Sequence, residues 1–384
     1  MASTDRAALV ALYNATDGAN WRNNTNWNTT APLSQWHGVT AKDQGRVVEL
    51  KLGYNNLKGR IPEELGKLTA LQRFSLYNNQ LSGPIPPELG NLRELTVLWL
   101  YKNQLTGPIP PELGNLRELQ GLGLGNSQLT GSIPPELGNL AALQFLDLRL
   151  NKLSGPIPPE LGKLTALVDL GLCNNQLSGE ARSSIPPEFG DLKELKKLLL
   201  YNNELTGPIP PELGNLKELK ELHLSSNQLT GHIPKELGAL SKLQRLDLWN
   251  NRLVGPIPPE LGNLRELTVL WLHKNQLTGR IPEELGKLTA LQKLFLNNNQ
   301  LSGLWDTLGQ DEAGSMAARP GTLPLALASL LDNMDRLANV GGLHLDQNPW
   351  EHPPETIVTG GVPAVRDYFE AIYRGGTTAV TRPL

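Results

Sequence analysis

Residues 95–118 read LTVLWLYKNQLTGPIPPELGNLRE, and residues 119–142 read LQGLGLGNSQLTGSIPPELGNLAA. Laid over each other, the two share the template LxxLxLxxNxLxGxIPxELGxLxx, a 24-residue unit. Working outward from this pair, copies begin at Val47, Leu71, Leu95, Leu119, Leu143, Leu167, Leu195, Leu219, Leu243, Leu267 and Leu291. Every step is 24 residues except that from Leu167 to Leu195, which is 28 because Glu180-Ala181-Arg182-Ser183 precedes Ser184-Ile185-Pro186. A twelfth, degenerate copy begins near Val340, as VGGLHLDQNPW. A fixed period of this length is the mark of a stacked repeat, in which no single unit can bury its own apolar face.

Each template position has a physical task. The alternation in LxLxx predicts a short strand with its leucines turned inward. The Asn eight residues into each repeat falls where that strand turns, and its amide can both donate to and accept from backbone groups of adjacent coils. The following Leu-x-Gly turns the chain without Cβ interference. Ile-Pro then holds an extended segment where no backbone donor is needed. ELGxL predicts a short helical or 3-10 turn that returns leucines to the core. One rung departs from the rule: Ser127 replaces the Asn, in a copy that also reads Gly121-Leu122-Gly123-Leu124-Gly125. That repeat is expected to be the loosest of the array.

Composition narrows the function. Gly (38) and Pro (30) are abundant and aromatics are 5%, which would suggest disorder were they not in register. The formal net charge is −3, so no global basic field draws nucleic acid or an anionic membrane. No run of eighteen apolar residues exists to span a bilayer. The amino terminus has no basic segment followed by an apolar one, and Cys173 is the single cysteine, so the expected compartment is the cytoplasm. Asn14, Asn23 and Asn28 fit the glycosylation pattern, which matters only to a secreted protein.

The template, and GPIPPELGNL above all, resembles the plant-type leucine-rich repeat of receptor-kinase ectodomains and polygalacturonase inhibitors. The resemblance covers about residues 47–303. It implies an α/β repeat solenoid: a right-handed horseshoe with a parallel β-sheet on the concave face and short 3-10 or helical turns on the convex face. Those secreted relatives carry cysteine-paired caps, which this chain lacks.

The ends read differently from the repeats. Residues 1–46 resemble a cysteine-free cap: a helix (DRAALVALYNAT), then Trp21, Trp27 and Trp36, expected to plug the open leucine core. Residues 304–339 are a degenerate region, with a polar loop (GQDEAGSMAARPGT) and a helix from about Leu323 to Leu337. Residues 340–384 hold the last copy, a cap helix and a tail. Asn348-Pro349, Pro353-Pro354, Ile357, Gly361 and the helix ending Val365-Arg366-Asp367-Tyr368-Phe369 are similar to the segment joining the repeats to the GTPase domain of ROCO-family proteins. A plain cap explains the same residues. No GxxxxGK[ST] loop is present; Gly309 to Gly314 is followed by Ser315-Met316. A GTPase domain, if one belongs to this protein, would follow this chain.

Recognition is expected on the face opposite the buried leucines, at the third, fifth, seventh and eighth positions of each copy. The eleven regular repeats hold eleven aromatics, and nine of them (Tyr54, Tyr77, Trp99, Tyr101, Phe145, Tyr201, Trp249, Trp271, Phe295) fall in these columns. Only Phe74 and Phe189 take core positions. The remainder of each copy is nearly invariant PPELGNL, so variation and aromatic residues share one side. The candidate partner-binding set is Arg73, Tyr77, Trp99, Tyr101, Lys102, Phe145, Asp147, Arg149, Tyr201, His223, Arg245, Asp247, Trp249, Trp271, His273 and Phe295. Two clusters are expected, one around Tyr77-Trp99-Tyr101 and one around Arg245-Asp247-Trp249-Trp271-His273, separated by the glycine-rich fourth copy. The alternative is that these rings pack on one another as cross-strand neighbours.

Catalytic readings lack their partners. Asp and Glu on this face neighbour Arg or Lys, His223, His273 and His344 sit on separate coils, and Cys173, outward by register, has no adjoining His. We therefore expect no catalytic, metal or cofactor residues. The expected function is a non-catalytic scaffold that holds another protein or peptide, as the recognition arm of a ROCO-type signalling protein. The alternatives are a fragment of a GTPase or kinase parent and an extracellular receptor or inhibitor.

Overall fold

The computed structural model describes residues 2–42, 45–179, 183–303, 325–350 and 355–375. The polar loop expected within 304–324, the inserted residues 180–182, Pro353-Pro354 and the tail from 376 lie outside the described residues. The chain divides into two compact units, Met1–Leu205 and Thr206–Leu384.

One coil explains all. In the copy starting at Leu95, the strand Val97–Trp99 turns Leu98 and Leu100 inward, the strand Gln104–Gly107 adds Leu105, and the 3-10 turn Pro111–Asn115 adds Leu113. These leucines, with Leu95, Ile109 and Leu116, are at most 1% exposed. Burying one such side chain stabilises by roughly 2 kcal/mol, so no coil stands without the coils above and below it. Pro111 opens the 3-10 turn, where its missing N–H is no loss and its fixed φ suits the first residue. The strand is three residues long because the chain must bend once two leucines are inside. At Gly114 a side chain is excluded, since a Cβ there would lie 2.4 Å from the Glu136 carbonyl oxygen of the next coil. Only glycine lets successive 3-10 turns stack so closely.

The asparagine ladder forms as its position dictates. Asn103 Oδ1 accepts from Leu81 N–H at 3.0 Å, and its Nδ2 donates to the Leu76 and Leu100 carbonyls at 3.1 and 2.9 Å. Asn151 repeats the arrangement with Leu129, Leu124 and Leu148. At Ser127 the side chain is too short: its Oγ is buried without a hydrogen-bond partner.

In the first unit the helix Ala2–Ala15 and three indoles close the end of the stack. Trp21, Trp27 and Trp36 are buried, and each ring N–H donates to a backbone carbonyl, of Thr16, His37 and Ala31. Val39–Lys42 pairs antiparallel with Arg46–Lys51, and parallel strands follow from Arg73–Ser75 to Lys197–Leu199. In the second unit the parallel strands run from Glu221–His223 through Arg245–Asp247, Val269–Trp271 and Lys293–Phe295 to Leu343–His344. The helix Leu325–Ala338 is tied to the last regular 3-10 turn by Asn333, whose Nδ2 donates to the Gly286 carbonyl at 2.7 Å. Arg366 on the helix Gly361–Gly375 bridges Asp332 and Asp335, both at 2.9 Å. Among the described residues, no helix is long and apolar enough to cross a membrane.

Candidate binding face

The strand register decides which side chains share a face. Parallel pairing sets like positions side by side, Ser75 against Trp99 and Asp247 against Trp271. Neighbouring strands lie about 4.8 Å apart, less than the breadth of an indole, so a large side chain on one coil overhangs the next. What any residue on this face shows to solvent therefore depends on its neighbour.

In the first unit the rings form a connected group. Tyr54 meets Tyr77 edge-on at 5.3 Å, Tyr77 stacks on Tyr101 at 4.8 Å, and Trp99 meets Tyr101 edge-on at 6.2 Å. Burial, followed by the neighbouring Tyr77 and Tyr54 hydroxyls, pushes the Tyr101 phenol above its ordinary range. The glycine-rich copy acts here as a bed. A Cβ on Gly121 or Gly123 would sit 2.5 Å from the Trp99 ring, so only glycine lets the indole lie flat. Beyond it, Arg149 and Asp147 form a two-pronged pair at 2.8 and 2.9 Å, which holds the guanidinium charged. Two adjoining hollows of about 430 and 440 Å³ share Tyr101, Asp147 and Arg149. The first is walled by Trp99 and Phe145, the second by Lys102, Leu150 and Tyr201.

In the second unit the rings are sandwiched rather than bedded. Trp271 stacks on Phe295 at 5.5 Å and carries the Arg245 guanidinium 4.2 Å from its centroid. Trp249 stacks on His273 at 5.1 Å, and Phe295 meets His344 at 4.3 Å. His223 lies between Glu221 at 3.5 Å and Asp247 at 3.7 Å, and Arg245 also approaches Asp247 at 3.7 Å. Burial pushes the Asp247 carboxyl up to about 6 against the pull of Arg245. Burial, then Lys274 and His344, lowers His273 to about 4.

Two expectations need correction. Asp247 is 3% exposed and cannot touch a partner directly; it is a buried counter-charge beneath Arg245 and His223. Cys173, outward by register, is fully buried, and that burial raises its thiol above the usual value. Arg73, Lys102 and Phe145 are exposed; Tyr77, Trp99, Tyr101, Asp147, Arg149, Tyr201, His223, Arg245, Trp249, Trp271, His273 and Phe295 are half-buried. Seven of the nine rings thus pack against a neighbouring ring, and all nine keep part of their surface in solvent.

Sequence reasoning missed Leu150. It is 51% exposed, and at φ 55° it adopts the left-handed conformation, which costs a residue with a Cβ roughly 1–2 kcal/mol. Its signal was present in the eighth column, where Asn78, Asn126, Asn174 and Asn202 hold the same conformation with the side chain that tolerates it best. Among the described residues, no group of three or more His, Cys, Asp or Glu could hold a metal ion.

Comparison with known proteins gives this geometry its context. A family profile described as a leucine-rich repeat region matches residues 111–233, and leucine-rich repeat profiles match 241–301, 46–68, 70–92 and 94–116. A probable leucine-rich repeat receptor-like protein kinase of Arabidopsis thaliana is 36% identical over 74 residues, 19% of this chain and 7% of that protein. The plant peptide hormone receptor RGFR1, solved in complex with RGF2, aligns with a TM-score of 0.68 at 37% identity, covering 79% of this chain. The alignment takes in 48% of that receptor, so this chain spans about half its length. A leucine-rich-repeat protein of Leptospira interrogans aligns at 33% identity and TM-score 0.52, with 82% of each chain covered. The chain belongs to the leucine-rich-repeat proteins, with repeats of the plant receptor-kinase type.

Proposed function

We propose that this chain is a receptor-type recognition module that holds a peptide or a protein segment on the outward face of its strand sheet. The observation that carries this reading is the Tyr54–Tyr77–Tyr101 ladder with Trp99 beside it on Gly121 and Gly123. Tyr77 and Tyr101 spend one face each on the other, while Tyr54 and Trp99 join them edge-on and every ring keeps part of its surface in solvent. Phenols and indoles held this way combine apolar area with hydrogen-bonding groups, which suits peptide carbonyls and apolar side chains. Aromatic and Arg side chains are also the types that anchor protein interfaces.

Placement outside the cell is the better-supported setting. The receptor-type repeats and the solved peptide hormone receptor favour it over the cytoplasmic, ROCO-type arm expected from residues 348–369. The sequon side chains Asn14, Asn23 and Asn28 are all exposed on the cap, so glycans there would meet no steric bar. Any kinase or GTPase activity would belong to a parent protein beyond these repeats.

Selection from a displayed random-peptide library tests the reading. The wild-type chain is expected to enrich a family of sequences that a Trp99→Ala/Tyr101→Ala variant fails to retain. A Glu88→Ala/Glu112→Ala variant, altered on the repeat-invariant side, retains them. Equal retention by all three proteins overturns the proposal.

A further inference from the structure

We infer that one edge of the first unit's binding face is ruled for a proline-rich, extended segment that carries an acidic residue midway between two apolar ones; this deepens the proposed function and rests on it. The observation is the eighth column. From Tyr54 to Asn202 its residues are Tyr54, Asn78, Lys102, Asn126, Leu150, Asn174 and Asn202, all left-handed with φ of 55–59°. Asn relieves that conformation. Tyr54, Lys102 and Leu150 do not, and they recur on every second coil. Tyr54 and Leu150 also leave 52% and 51% of their surfaces in water, so neither joins the leucine core, although Tyr54 meets the Tyr77 ring edge-on. A residue that is strained, exposed and apolar points to contacts made with something else.

The spacing identifies the occupant. The ladder of backbone hydrogen bonds continues through this column, Tyr54 N–H to the Tyr77 carbonyl at 3.1 Å, Lys102 N–H to Gly125 at 2.8 Å and Leu150 N–H to Cys173 at 3.1 Å. Coils there keep the strand spacing, so alternate coils stand about 9.6 Å apart. A polyproline II helix advances about 3.1 Å per residue with three residues per turn, which returns a side chain to one face every ~9.3 Å. A β-extended peptide presents one face every ~6.7 Å and falls out of step. The polyproline form also leaves all its carbonyls unbonded, able to accept from phenols such as Tyr77 and Tyr101, which directly precede column residues Asn78 and Lys102. Lys102, exposed between Tyr54 and Leu150, calls for an acidic side chain three residues from each apolar contact.

The test uses three labelled peptides and fluorescence anisotropy: LPPEPPLPP, the mis-spaced LPPEPLSPP, and LSGEGSLGS, which keeps the spacing but not the helix. The wild-type chain is expected to bind the first at least ten-fold more tightly than either of the others. Lys102→Asn and Leu150→Asn are each expected to weaken it about ten-fold. Because Asn already occupies this column, both variants should unfold at or slightly above the wild-type temperature, which separates lost contact from lost fold. Equal binding of the three peptides, absence of binding by all, or unchanged binding by the Asn variants overturns the inference. If the library peptides still depend on Trp99 and Tyr101 in that event, the proposed function stands without it.

Discussion

The strands around Trp99 and Trp271 come from segments that differ at one residue, LTVLWLYKNQLTG at Leu95 and LTVLWLHKNQLTG at Leu267. Their surroundings nonetheless differ in kind. Trp99 lies on glycines and has no ring from the following coil stacked beneath it, whereas Trp271 is held between the Arg245 guanidinium and the Phe295 ring. Position within a coil places the indole on the face; the adjoining coils decide what it can do there. In a stacked repeat the functional unit is thus a pair of neighbouring coils. Shuffling nearly identical copies against different neighbours yields different surfaces from the same sequence.

Substitutions can break that contrast at both ends. The largest effect is expected from Phe295→Ala, which removes the floor under Trp271 and the contact with His344, and should cost about 2 kcal/mol by denaturant unfolding. Gly123→Ala drives a methyl into the Trp99 ring; the flexible side chain can swing aside, so stability should fall by only about 1 kcal/mol. Peptide binding at Trp99 should fall further, and the indole emission should shift to the red. Ser127→Asn restores the missing rung and should raise stability by about 1 kcal/mol.

A pH titration sharpens the comparison within the second unit. Asp247 has a folded pKa of about 6 against 3.8 as its ordinary value, so its contribution is full below 3.8 and is lost as pH rises through 6. His273 runs the other way: folded near 4 against 6.5, it stabilises increasingly as pH rises through that window. The two nearly offset between pH 4 and 6.5. Asp247→Asn should leave stability rising with pH across that range, and His273→Asn should leave it falling, by the order of 2 kcal/mol each. A flat profile in both variants would show that neither group titrates abnormally.

Much of this was legible from residue spacing. The leucine columns, the asparagine ladder and the defect at Ser127 follow from a period of 24, because each depends on one coil repeating itself. Which side of the sheet carries the aromatics was legible for the same reason. Exposure on that side was not, since it depends on pairs of coils. Cys173 disappears among larger neighbours, Asp247 sinks beneath Arg245, and the glycines of the fourth copy, which looked like a gap between clusters, are the seat of Trp99. Leu150 was overlooked because its significance is conformational, visible only once the eighth column is known to be left-handed.

The central claim is that partners dock on the outward strand face. Photo-crosslinking tests it most directly: p-benzoylphenylalanine is placed at Tyr101, or at Glu112 on the repeat-invariant side, and each protein is irradiated with a peptide selected by the wild-type chain. The account predicts a covalent adduct from position 101 and none from position 112. Adduct formation from position 112 alone would contradict it.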